Sequence, residues 1–163
     1  MSNYRKDIIN HKEKVSNNIK RCIDELYMRQ LYHDNDKITN DIIFNSYDQY
    51  NDELRKKDFH SKEYKEFLNT KLGKAIEIHS QNRHHFNSMQ CKTNFSIDLI
   101  DILELICDVK AAIERDGELT QEEVLKLLQN ALINIRNLPS INDLIGNTIN
   151  NLFSEIGDYE CKK

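Results

Sequence analysis

The stretch "HSQNRHHF", residues 79–86, holds three of the six histidines of a 163-residue chain. Neutral imidazole and carboxylate are the ligands that Mn²⁺, Fe²⁺, Ni²⁺ and Zn²⁺ accept. Buried histidines usually come singly, because each imidazole needs its own hydrogen-bond partner. Three in eight positions ask for a shared one. The chain adds His11, the adjacent His33 and Asp34, and Asp108, so the potential ligands run H, HD, H, HH, D, with only His60 left over. A lone histidine on an apolar stripe is more often a satisfied core residue, and an isolated His-Asp pair carries little. Asp108 weighs more, because a carboxylate inside "IDLIDILELICDVKAAI" is unfavourable unless paired, protonated or bound to a cation. Together the set predicts a divalent-metal site with His11, His33, Asp34, His79, His84, His85 and Asp108 as ligands. Mn, Fe, Ni and Zn are not distinguished by these residue types, nor is one ion from two.

These residues must be brought together by helices. Four glycines and one proline are too few to punctuate a sheet, whereas apolar residues recur at helical spacing almost throughout. The spacing predicts an all-α fold, a bundle of about six helices in a single domain spanning residues 1–163. The first helix runs from about Tyr4 to Leu31, with Ile8, Val15, Ile19, Cys22 and Leu26 on one stripe that includes His11. A second covers about 41–57. A third follows Ser61 and continues to His79, which puts the histidine cluster near a helix terminus. The most apolar helix, about 96–115, should be central, and its Asp101 and Glu104 fall near the face of Asp108. Gly117 should end it. Thr120 and Glu123 then form a capping box for a helix reaching Ile135, and a last helix follows Pro139 and Ser140. "DGELTQEE" lacks the alternating oxygen ligands of an EF-hand.

Composition narrows the function classes. A net charge of −4, with both signs interspersed, leaves no basic stripe to track a phosphate backbone, so long nucleic acid is not an expected partner. No apolar run is long enough to span a bilayer, and the charged start "MSNYRKDIIN" is no signal peptide, so no membrane partner is expected. Cys22, Cys91, Cys107 and Cys161 are scattered and read as reduced thiols of a cytoplasmic protein. Oligomeric state is not legible.

The ordered set from His11 to Asp108 resembles the HD-domain superfamily of metal-dependent phosphohydrolases, an all-α fold whose ligands come from separate helices around one or two divalent ions. "HDNDK" is similar to the HD-x-x-K form of that motif, which implies that Lys37 holds a substrate phosphate beside the metal. "IEIHSQNRHHF" followed by "DLIDILELICDVKAA" resembles a narrower group of small bacterial and phage HD-like proteins, with Phe86 standing where that group has proline. The resemblance implies hydrolysis of a nucleotide or another small phosphate ester through a metal-activated water. Asp34 would act at the metal and orient the nucleophile. Arg83 and Lys110 join Lys37 as candidate phosphate contacts, and Glu104 is a candidate to fix a histidine tautomer. The alternatives are a di-iron HD-type oxygenase and a non-catalytic metal-binding regulatory module.

Overall fold

The computed structural model describes residues 3–57, 61–115, 119–132, 135 and 138–153, and these contain helices and no strand. The elements are α1 (Asn3–Tyr32), α2 (Asp36–Thr39), α3 (Asp41–Leu54), α4 (Lys62–Lys71), α5 (Gly73–His79), a 3-10 turn (Arg83–His85), α6 (Leu99–Glu114), α7 (Gln121–Leu132) and α8 (Ile141–Phe153). The expected all-α class is what the chain adopts. His60, Gly117 and Cys161 lie outside the described residues.

Helix starts follow local chemistry. Asn40 accepts from the backbone N–H groups of Ile42 and Ile43 to begin α3, and Ser61 accepts from Tyr64 to begin α4. Asp98 begins α6 with a capping box: its side chain takes the N–H groups of Ile100 and Asp101, and the Asp101 carboxylate returns to the Asp98 N–H at 2.9 Å. Thr120 and Glu123 cap α7 reciprocally as expected. The single helix expected from Ser61 to His79 is two, α4 and α5, meeting at Leu72. The ladder passes through that joint, with Leu72 N–H on Leu68 and Ile76 N–H on the Leu72 carbonyl, while Leu72 itself is buried.

α6 is central, packing against α1, α7, α8 and the 3-10 turn, while α3 gathers α2, α4 and α5. Phe86, Ile97, Leu105 and Leu144 form the core cluster, with Phe95, Ile102 and Val109 against it. Phe86 thereby ties the histidine turn to the core. Its φ of −53° is one that proline shares, but its N–H donates to the Arg83 carbonyl, a bond proline lacks. No helix among the described residues is long and apolar enough to cross a membrane.

Candidate metal centre

The centre forms where the C-terminal end of α1, the end of α5, the 3-10 turn and the middle of α6 meet. Immediately after α1 the chain turns through Asp34 in the left-handed region (φ 58°), a conformation that aspartate tolerates better than most residues. This turn separates the two adjacent side chains, so that His33 addresses α6 while Asp34 addresses the histidine cluster. His33 Nε2 lies 3.5 Å from Asp108 Oδ1 and 3.9 Å from Asp34 Oδ2. Asp34 Oδ1 lies 3.2 Å from His79 Nε2 and 3.3 Å from His84 Nε2. His85 Nε2 and His79 Nε2 approach to 2.8 Å.

Carboxylates behind the rings set their tautomers. His79 Nδ1 lies 2.8 Å from Asp36 Oδ2, and His33 Nδ1 lies 3.0 Å from Glu104 Oε1. An ionised carboxylate only accepts, so each Nδ1 carries the proton. For His79 this turns Nε2 toward Asp34 and His85. Asn82 donates to Asp36 at 2.7 Å, and Arg29 donates to Glu104 at 2.9 Å, so both acceptors are themselves held. Such carboxylate-histidine pairs orient ligands at metal sites.

One ligand atom each from Asp34, His79, His84 and His85 fall within 4.8 Å of one another. Asp34 Oδ1 and His84 Nε2 are both buried and neither makes a hydrogen bond, although they face each other. Leaving such a pair unsatisfied costs about 1–3 kcal/mol per group, so a native site needs a partner for both. A divalent cation held between them would satisfy both. With ligand bonds of about 2.0 Å, adjacent donors on an octahedron are about 2.8 Å apart and donors on a tetrahedron about 3.3 Å, the range of the three separations given above. These residues therefore fit a metal ion. His33, His84 and Glu104 also bring donors together, but Glu104 already accepts from Arg29 and His33, and a guanidinium at 2.9 Å opposes a second cation there. We read Glu104 as the hub that steadies His33.

Charge and burial act on these groups in opposite directions. Burial pushes the Asp34 carboxyl up, but His79, His84 and Lys37 outweigh it and hold it far below the usual carboxylate range. Hydrogen bonds to Asp108 and Glu104 push His33 up to about 10 against its burial. Burial takes His85 down to about 4, and the neighbouring His84 and His79 add to the effect.

The structure brings together His33, Asp34, His79, His84, His85 and Asp108, with Glu104 behind His33. It does not bring His11. That residue lies in the N-terminal part of α1, where every residue from Asn3 to Arg21 is exposed, about 30 Å along the helix from the cluster. The apolar stripe that suggested His11 was buried faces solvent instead: Val15 is 40 % and Ile19 54 % exposed. The residue that α1 does contribute is Arg29, one turn before His33. Arg83 is not free for phosphate. It grips Asp101 at 2.5 and 2.6 Å, Asp98 at 3.3 Å and the Ser96 carbonyl at 2.5 Å, bracing the start of α6. Lys110 pairs with Glu114 and lines a pocket with Leu119, Gln121 and Val124 on the α7 side, away from the cluster. Lys37 is adjacent, donating to Asp34 Oδ2 at 2.6 Å. Asp36, Asn82 and Arg29 were missed. Asp36 had a signal, being the second aspartate of "HDNDK".

The chain matches, over residues 1–154, the family described as "Family of unknown function (DUF5662)". It belongs to that family. No curated protein and no solved structure matches it.

Proposed function

We propose that this protein is a metal-dependent phosphohydrolase of the HD-like kind, acting on a nucleotide or another small phosphate ester. One observation carries the reading: the unsatisfied buried pair Asp34 Oδ1 and His84 Nε2, flanked by His79 and His85, with Lys37 on the other Asp34 oxygen. His33, Asp34, His79, His84, His85 and Asp108 would hold the ion or ions. When bound, a divalent cation supplies an activated water at neutral pH and polarises a phosphoryl oxygen.

The chain's own residues do the rest. Asp34 splits its two oxygens, one facing the imidazoles and one anchoring the Lys37 ammonium. That anchor leaves Lys37 two further N–H donors beside the cluster, suited to the non-bridging oxygens of a phosphoryl group. Asp36 and Glu104 keep protons on the outer nitrogens of His79 and His33, so these rings present a fixed face inward.

The test is a panel of nucleoside mono- and diphosphates and simple phosphate esters with Mn²⁺-, Fe²⁺-, Ni²⁺- or Zn²⁺-loaded protein. Turnover by the native chain is expected. Asp34→Ala should abolish it together with bound metal, whereas Lys37→Ala should keep the metal and lose about 10²- to 10³-fold in rate. Oxygen consumption by the ferrous protein with no ester turned over would replace this reading with the oxygenase.

A further inference from the structure

Beside the metal centre, α1 and α6 leave an open pocket of about 450 Å³, within the size range of small-molecule sites. It follows from the sequence register. Leu26 and Gln30 lie one turn apart on α1 with His33 just past its end, and Leu103 and Cys107 lie one turn apart on α6 with Asp108 beside Cys107. The pocket therefore has apolar walls in Leu26, Leu103 and Cys107, and His33 and Asp108 at the metal-centre side. Leu26 is 37 % and Leu103 45 % exposed, so both present apolar surface to whatever enters.

The charges on its lining are committed. Arg29 is bound to Glu25, Asp101 and Glu104, and Glu104 to Arg29 and His33. An anion gains nothing from a guanidinium already facing three carboxylates. The polar group left to the wall is the uncharged amide of Gln30. We infer that this pocket binds an uncharged, largely apolar ring of the substrate, placing the attached phosphate at the metal centre, with Gln30 reading the ring's polar edge. This rests on the proposed phosphohydrolase site and assigns its substrate class: a phosphate ester of a ring-bearing alcohol, a nucleoside or an aryl group, rather than a small polar phosphate.

Cys107 is exposed in the wall and serves as reporter on the intact chain. The experiment follows its alkylation by N-ethylmaleimide, resolved by mass spectrometry, in metal-loaded protein with phenyl phosphate, adenosine monophosphate, adenosine, phenol, methyl phosphate or inorganic phosphate. A ring-bearing compound at about ten times its dissociation constant should slow labelling about tenfold, and methyl or inorganic phosphate should not. In turnover, Leu103→Asp should lower the preference for phenyl over methyl phosphate by about tenfold with metal content unchanged. Gln30→Leu distinguishes the sources: weaker protection by adenosine monophosphate but not by phenyl phosphate assigns a nucleobase, and unchanged protection by both assigns a plain aryl group that Gln30 does not read.

Equal protection by inorganic phosphate, or none by any ring compound, overturns the inference. If phosphate esters turn over and phenyl and methyl esters are handled alike, this inference falls and the hydrolase reading stands. If adenosine or phenol protects Cys107 while no ester turns over, the pocket stands and the hydrolase reading falls.

Discussion

His79 Nδ1 sits 2.8 Å from Asp36 Oδ2, and the same carboxylate oxygen accepts from Asn82 at 2.7 Å. The single turn α2 thus fixes which nitrogen of a buried histidine faces the cluster. Replacing Asp36 by Asn removes the charged acceptor and lets the ring change tautomer. Metal affinity should fall about 10- to 100-fold, with helix content retained. Competition against a chromogenic chelator measures it, and an unchanged affinity would mean that Asp36 does not orient His79.

Arg83 should act on stability rather than on substrate. Asp98 and Asp101 are fully buried, and burial pushes the Asp98 carboxyl up, so both depend on the guanidinium beside them. Arg83→Ala should cost about 2–3 kcal/mol in urea unfolding. Arg83→Lys should recover little of it, because an ammonium cannot reproduce the planar fork across Asp101 and the Ser96 carbonyl. A loss confined to KM, at native stability, would restore Arg83 as a phosphate contact.

His11→Ala should leave metal content and turnover at native levels and change stability by less than about 0.5 kcal/mol, as for other exposed substitutions. Loss of metal from this variant would show that α1 lies differently against the cluster.

Lys110→Ala removes an exposed pair with Glu114 and should leave turnover within about twofold of native, in contrast to Lys37→Ala. Comparing the two at saturating substrate separates the lysine on Asp34 from the one on the α7 side.

Helical class and most boundaries were legible because periodicity and caps are local. Asp98, Ser61, Asn40 and Thr120 cap helices through residues two or three positions away. The central place of α6 followed from its apolar run. The histidine cluster was legible because its members crowd one short stretch. Periodicity reveals an apolar face but not whether another element covers it, and this misled the reading of His11 on a stripe that solvent faces. Arg29 and Asn82 gave no local sign, since their roles rest on partners 75 and 46 positions away. Arg83 looked like a surface cation beside the histidines until its carboxylates were located on α6.

The proposed holding of a divalent cation by Asp34, His79, His84 and His85 is tested by elemental analysis of protein purified without chelator, native against His84→Ala. His84→Ala removes one of the two buried side-chain atoms among the described residues that lack a hydrogen-bond partner and leaves the Asp36 and Glu104 pairs intact. At least one equivalent of a divalent transition metal per native chain, falling severalfold in a variant that keeps its helix content, is the predicted result. Native protein free of such metal even after incubation with Mn²⁺, Fe²⁺, Ni²⁺ and Zn²⁺, or equal content in the two proteins, would contradict it.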